Sequence, residues 1–202
     1  MLPVDRVIVQ IASEWGPARV ERTVAGDVVS TRRVRFSSQE DQIRFLRGLV
    51  EESRELAAIR ARARDIVFRL YNCPPRQECE YALAIGDWVQ RSITYVREMP
   101  EVFQTPTATI ALAYGDCDDH TAVVCSLLEA IGIESELVGM AWNIDGETTF
   151  NHIFPRAVVS FGLERPLRIP LDTTLQRPVR SMTDPILLAH ERRLRNLRVF
   201  VG

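Results

Sequence analysis

The sequence predicts an α+β fold, with helices concentrated in its first part and strands in its second. Apolar residues recur near helical spacing over residues 43–70 and 81–89, whereas residues 133–142 and 148–160 alternate as β-strands do. Between these parts stands the motif GDCDDH, residues 115–120, at the start of an apolar helix. We therefore expect a cysteine at a helix N-terminus, packed against an antiparallel sheet.

Composition indicates an ordinary soluble globular protein. The chain has 202 residues, of which 46% are hydrophobic and 26% charged, enough to bury one core with an appendage. Asp5 and Glu14 interrupt the N-terminus too early for a signal peptide, and the apolar runs fall short of the roughly 20 residues that cross a bilayer. We expect a cytoplasmic location and no membrane partner.

The charge pattern gives no reason to expect a nucleic-acid partner. The formal net charge is −2, with acids and bases interspersed. An arginine cluster at residues 192–198 is a local exception, which fits a solvated helix face or a phosphate-binding patch. All 25 basic residues are arginine, so an enzyme that transferred acyl groups to lysine could not modify its own side chains.

The first half reads as strands followed by helices. Residues 1–36 look extended and predict a small sheet or hairpin layer, and residues 37–40 (SSQE) supply a capping-box start for one long helix or two joined ones. A second helix is predicted over 77–92, an extended segment over 93–96, and a short helix from about Thr107. We divide the chain into an N-terminal extension (1–75), a core (76–176) and a tail (177–202).

The second half predicts one helix and a hairpin. The helix runs from Cys117 to Ile131 and is followed by Gly132, where a left-handed cap belongs. Strands over 133–142 and 148–160 flank a turn at 143–146, a further strand runs from Leu167 to Leu171, and a tail helix begins near Asp184.

The four cysteines predict no disulfide scaffold and no metal site. A chain of this length without an export signal has no need of disulfides, so we expect reduced thiols. Cys73 and Cys79 have a spacing that matches no common zinc pair, and we expect no metal and no cofactor. Cys125 lies two turns after Cys117 in an apolar helix and should be a buried, inert thiol.

Cys117 is the candidate nucleophile. Unpaired N–H groups and the positive dipole end at a helix N-terminus favour a thiolate and lower its pKa. Asp116, Asp118 and Asp119 share the first turn and would raise that pKa by repulsion. The helix alone therefore cannot activate the thiol, and an imidazolium partner is required.

Two histidines are candidates for that partner. His152 lies within a predicted strand, where a rigid sheet would hold its ring at the mouth of the Cys117 helix. His120 is the rival, but a base one turn along the same helix aims poorly at a sulfur on the first turn. Asp172 ends an apolar strand and would orient His152 if their strands are neighbours, or else caps a turn.

At this point the sequence resembles the transglutaminase-like superfamily. The resemblance rests on GDCDDH at 115–120 with its apolar helix, the Asn151-His152 strand and the Leu171-Asp172-Thr173 strand end, and it extends upstream to residues 88–95 and Thr105-Pro106. It covers roughly residues 77 to 175. It implies a papain-like core with Cys117 as nucleophile, His152 as base and acid, and Asp172 as orienter.

The resemblance also implies a reaction class. Family members attack amide carbonyls, so we expect a thiol hydrolase that cleaves an amide or peptide through a thioester, with a protein or peptide substrate. Transamidation by the same triad and an idle triad in a docking component, such as a phage particle protein located in the virion, remain alternatives. Residues 1–75 are expected to determine the partners, and a larger assembly contacted through them is one candidate.

An oxyanion donor is also required. The Cys117 backbone N–H is one candidate, and the Gln104 side chain is a second; Asp116 and His120 are placed beside the site as supporting residues.

Overall fold

The structure is a computed structural model that describes residues 9–12, 22–24, 27–29, 34–36, 38–97, 102–140, 152–160, 166–183 and 198–200. Within these residues, helices and sheets form an α+β fold, as the sequence predicts. No helix in these ranges is long and apolar enough to span a bilayer.

The described part of residues 1–36 is extended, as expected. It contains β1 (Val9–Ala12), β2 (Arg22–Val24), β3 (Asp27–Val29) and β4 (Val34–Arg35). Strands β2 and β3 form an antiparallel hairpin, and β1 pairs in parallel with β4. On its other side β1 pairs antiparallel with β6 (Val102–Phe103), so the N-terminal strands join a strand of the predicted core.

The long apolar stretch that follows forms two joined helices. Helix α1 (Gln39–Arg54) begins at Ser38, whose hydroxyl accepts the Asp41 N–H at 3.2 Å. The chain breaks at Leu56, which is extended, and helix α2 (Ala57–Arg64) then continues as a π-helical segment (Asp65–Leu70). The sequence allowed one helix or two, and the apolar spacing alone did not locate this break.

The next elements lead the chain to the cysteine. Helix α3 (Glu78–Ser92) is followed by β5 (Thr94–Tyr95), β6 and α4 (Pro106–Leu112), which Thr105 caps through the Ala108 N–H. Ala113 adopts a left-handed φ of 58°, which turns the chain out of α4 into β7 (Tyr114–Gly115). Strand β7 pairs in parallel with β5 and delivers the chain to Cys117.

Helix α5 (Cys117–Glu129) is the centre of the fold. Every residue from Asp118 to Leu128 is buried, and α5 packs on the main sheet on one side and on α1 and α3 on the other. Leu127 and Leu128 have no exposed surface, and burial of each such side chain stabilises the fold by about 2 kcal/mol. Gly132 then takes a φ of 86°, the left-handed conformation predicted for it.

The main sheet is antiparallel, with strand order β10-β9-β8-β11. It consists of β8 (Glu134–Met140), β9 (His152–Val159), β10 (Leu167–Pro170) and β11 (Arg198–Phe200). The register of the predicted hairpin pairs Met140 with His152, which puts His152 at the first position of its strand. The predicted turn at 143–146 and the helix near Asp184 lie outside the described residues.

Candidate active site

Cys117 is the first residue of α5, at the partly open end of a helix that is otherwise buried. Asp116 caps this helix, and its carboxylate accepts the Asp118 N–H at 3.3 Å. A Cβ on Gly115 would lie 2.6 Å from the Cβ of Asp119. Glycine is therefore needed just before the cysteine because the chain passes so close to its own helix.

Asp119 fixes a second segment against the first turn of α5. Its side chain is buried, and Oδ1 accepts the Gln104 backbone N–H at 2.6 Å. Gln104 itself has no exposed surface. The structure thus places Gln104 beside the helix start that carries Cys117, through a contact of its backbone with Asp119.

His152, at the start of β9, pairs with Asp172, which lies two residues after the neighbouring strand β10. His152 Nε2 lies 2.7 Å from Asp172 Oδ2, and the two side chains are 10% and 7% exposed. Thr174 donates its backbone N–H (3.1 Å) and its hydroxyl (2.6 Å) to Asp172 Oδ1. Burial raises the pKa of Asp172, but the hydrogen bonds from His152 and Thr174 outweigh it, so the net effect is a pKa below the ordinary value.

Thr121 connects the start of helix α5 to the strand of His152. Its buried hydroxyl lies 2.6 Å from the Cys117 carbonyl and 3.2 Å from the Ile153 carbonyl, so one proton is shared between two acceptors. Ile153 directly follows His152. Thr121 was not among the predicted site residues, although a threonine four residues after a cysteine in a helix can bond back to the cysteine carbonyl.

Tyr95 lies close enough to both Cys117 and Asp172 for these residues to influence its hydroxyl. Burial and the negative charges of Cys117, Asp116 and Asp172 raise the pKa of its hydroxyl, against an opposing effect of Arg97. Tyr95 was predicted only as part of a motif, without a place in the site. The structure brings it beside the residues that the sequence nominated.

His120 is buried beneath the site. It is 1% exposed, its Nδ1 lies 2.8 Å from Thr173 Oγ1, and its ring meets that of Tyr95 edge-on at 6.2 Å. Burial lowers its pKa to about 4, although the backbone of Thr94 and the charge of Asp172 oppose this change. The ring is therefore neutral near pH 7.

The other thiols have different surroundings. All four cysteines lie in the described part of the chain, and none forms a disulfide. Burial raises the pKa of Cys79 to about 11 and that of Cys125 to about 12. Asp116, Cys117 and Asp118 have potential metal-ligand atoms within 4.8 Å of one another, but the Asp116 carboxylate acts as the helix cap.

Comparisons with known proteins show that part of this chain is similar to one family. Residues 66–160 match the family model of the Transglutaminase-like superfamily. A candidate cysteine protease from Cytophaga hutchinsonii is 18% identical, with a TM-score of 0.46, and the match covers 72% of this chain and 46% of that one.

A second structure, a candidate protease from Parabacteroides distasonis, is 16% identical with a TM-score of 0.48, and the match covers 71% of this chain and 34% of that one. The matches thus span less than half the length of either protein. No curated protein sequence gave a significant match.

Proposed function

We propose, on the basis of the match of residues 66–160 to the transglutaminase-like superfamily, that the chain is a cysteine-dependent hydrolase of amide or peptide bonds. Cys117 is the nucleophile, His152 the base and acid, and Asp172 the residue that orients His152. The observation that carries the proposal is the His152–Asp172 pair at 2.7 Å, on a strand that Thr121 ties to the Cys117 turn.

The choice of His152 over His120 follows from their surroundings. His152 Nε2 faces a carboxylate that stabilises an imidazolium, so we assign Nδ1 to proton exchange with the thiol. His120 is committed to Thr173 through Nδ1, and its pKa of about 4 keeps it neutral where the thiol must lose its proton. A neutral, buried ring cannot supply the positive charge that three nearby aspartates make necessary.

The proposed reaction has two halves. The Cys117 thiolate attacks the amide carbonyl, the carbonyl electrons move onto oxygen, and the imidazolium of His152 gives its proton to the departing amine as the C–N bond breaks. The product is a thioester on Cys117. His152 then removes a proton from water, the hydroxide attacks the thioester, and the acid departs as the thiol is restored with the proton from His152.

The oxyanion of each tetrahedral intermediate needs preorganised donors. We assign one donor to the backbone N–H of Cys117, which is the first residue of α5 and lies at the positive end of the helix dipole. We assign the second to the Gln104 side chain, because Asp119 holds the Gln104 backbone against the same helix turn.

Turnover of a library of end-blocked, internally quenched peptides tests the proposal, with a fluorescent primary amine present. We expect cleavage with release of the free acid and, after acid quench, an acyl adduct on the Cys117 peptide. Cys117→Ala should abolish both, whereas Cys125→Ala should retain them.

Incorporation of the amine in place of acid release would replace hydrolysis by transamidation as the function. Absence of both cleavage and adduct across the library would contradict catalysis altogether, and would favour a structural role for the fold.

A further inference from the structure

A groove of about 380 Å³ runs beside the candidate active site. One wall is formed by residues 93–95 and the other by residues 173–176, with Gln90 and Arg91 of α3 at its end. The second wall begins directly after Asp172, and its Thr174 donates its N–H and its hydroxyl to the Asp172 carboxylate, at 3.1 and 2.6 Å. The groove therefore opens next to the reacting groups.

Buried polar contacts hold the two walls at a fixed separation. His120 lies beneath them, with Nδ1 at 2.8 Å from Thr173 Oγ1 and its ring edge against Tyr95. At the α3 end, Gln90 Nε2 donates to the Leu175 carbonyl at 2.7 Å and to the Arg177 carbonyl at 2.8 Å. The groove is thus preformed, which reduces the ordering cost of binding an extended ligand.

The two ends of the groove differ in charge. Near the thiol, the buried carboxylates of Asp116 and Asp172 create a negative potential, and Asp172 is bonded directly to Thr174 of the groove wall. Arg91 is the residue with a formal charge among those that line the groove. A substrate carboxylate would be repelled at the first end and attracted at the second.

The Arg91 side chain is anchored in a way that suits carboxylate recognition. Its Nε pairs at 2.9 Å with Asp87 Oδ2, a buried carboxylate that also accepts the Tyr71 hydroxyl at 2.6 Å. The side chain is 73% exposed, and the pair uses Nε, so the two Nη groups remain as donors for a ligand. A guanidinium held by one edge presents its other donors as a preorganised fork for a carboxylate.

We propose that this groove is a substrate subsite that selects an acidic side chain or a C-terminal carboxylate, bound by Arg91 at a distance from the amide under attack. The proposal rests on the proposed function, since it names the substrate class of the same site. It predicts substrates that carry a carboxylate some residues away from the cleaved bond and no carboxylate next to that bond.

Matched peptides test the subsite in the full-length protein. Glu, Gln or Lys is placed at each of about four positions on either side of the cleaved amide, and kcat/KM is measured for each peptide. At one position, Glu should exceed Gln by about tenfold, mainly through KM, as a charge-assisted hydrogen bond does. Arg91→Glu should abolish this preference and favour Lys, and Arg91→Gln should abolish it without reversal.

The chain offers a matched control in Arg69, which is also exposed and pairs with an aspartate four residues earlier, Asp65, at 2.8 Å. Arg69 does not line the groove. Arg69→Glu should leave the Glu preference unchanged. Equal kcat/KM values for Glu and Gln peptides in the wild type, or an equal loss of preference in Arg69→Glu, would overturn the assignment of Arg91.

Binding measured without turnover separates this proposal from the proposed function. Fluorescence anisotropy of Cys117→Ala with labelled Glu and Gln peptides should give tighter binding of the Glu peptide, and the added Arg91→Glu change should remove that difference. Selective binding combined with absent turnover in the wild type would contradict the hydrolase but retain the subsite. Unselective binding combined with normal turnover would retain the hydrolase and overturn the subsite.

Discussion

Helix α5 carries two cysteines in opposite surroundings, one at its first residue and one within it. Cys117 begins the helix at a partly open position, whereas Cys125, two turns later, is fully buried in a cluster with Leu46, Val50 and Leu137. Burial raises the pKa of Cys125 to about 12, and the charge of Glu129 acts in the same direction against a hydrogen bond with Ser135. Position along one helix therefore separates a partly open thiol from a fully buried one whose ionisation burial opposes, as the sequence predicted.

The polar side chains at the two ends of α5 contact different parts of the fold. At the C-terminal end, the Glu129 carboxylate pairs with Arg47 at 2.5 Å and with Arg54 at 3.0 Å, and it accepts the Ser135 hydroxyl at 2.6 Å. These contacts join α1, α5 and β8 in one cluster. At the N-terminal end, His120 and Thr121 contact the segments beside Asp172 and His152. We infer that the first cluster serves stability, and that the second arranges reacting groups.

Removal of the Cys117 thiol and removal of the Cys125 thiol should give the largest difference in turnover. Cys117→Ser should lower turnover by at least about a thousandfold, because the weaker oxygen nucleophile replaces the thiolate. Cys125→Ala should keep turnover and lose about 1 kcal/mol of unfolding free energy, as expected for one deleted buried group. Peptide turnover and urea unfolding of both variants check this; a comparable loss of turnover in Cys125→Ala would remove the contrast.

Glu129→Gln should destabilise the fold without affecting the thiol. The substitution removes the buried carboxylate that Arg47 and Arg54 share and leaves Arg47 only the exposed Glu51, at 3.5 Å, so we expect a loss of about 3 kcal/mol in unfolding free energy. Glu134→Gln, at an exposed position of β8, is the control and should change little. Urea unfolding measures stability, and the alkylation rate of folded Cys117 should be equal in both variants. A slowed alkylation in Glu129→Gln would show that the two ends are coupled.

His120→Asn should reduce the loss of stability in mild acid. The pKa of His120 is lowered from 6.5 to about 4, so between these pH values the unfolded chain binds a proton that the folded ring does not. Stability should therefore fall as pH falls through this window, by roughly 3 kcal/mol for the wild type. Unfolding free energies at about pH 7 and pH 4 measure this difference. An equal change of unfolding free energy between these pH values in the wild type and in His120→Asn would exclude a buried neutral ring.

Thr121→Val should produce the smallest of these effects. It should slow the alkylation of Cys117 more than it lowers the stability of the fold. The variant keeps the branched shape but loses the hydroxyl between the Cys117 and Ile153 carbonyls, so we expect about a tenfold slower alkylation of Cys117 and a loss of about 1 kcal/mol.

A matched control for Thr121→Val is Thr109→Val, since Thr109 is also buried and bonds back to a carbonyl four residues earlier, at 3.2 Å. Thr121→Ser should restore the alkylation rate. Equal rates for the two valine variants would show that the hydroxyl of Thr121 has no role in positioning.

Local chemistry made much of the fold predictable. Ser38 and the left-handed Gly132 marked helix ends, and alternation over 133–142 and 148–160 predicted the hairpin, because each signal acts within a few residues. The break between α1 and α2 at Leu56 and the edge strand β11 depend on packing with distant segments, so no local sequence pattern predicted them. The bounds of the proposed extension, core and tail stay a prediction.

The candidate site divides in the same way. The motif around Cys117 contains the candidate nucleophile and its neighbours. The order of His152 and Asp172 in the sequence predicted a pair, and His152 Nε2 lies 2.7 Å from Asp172 Oδ2 in the structure. Their catalytic roles, and that of Gln104, stay predictions. Thr121, Tyr95 and the His120–Thr173 contact were missed because each depends on which segment lies opposite, which spacing along the chain does not specify.

Competitive alkylation of the folded protein tests the central claim most directly. Limiting iodoacetamide is added at about pH 7, and mass spectrometry follows each cysteine peptide. Cys117 should react at least about a hundredfold faster than Cys79, whose pKa is raised to about 11, and His152→Ala should abolish the advantage while His120→Ala retains most of it. Equal rates at Cys117 and Cys79 in the wild type would contradict an activated thiol at the start of α5.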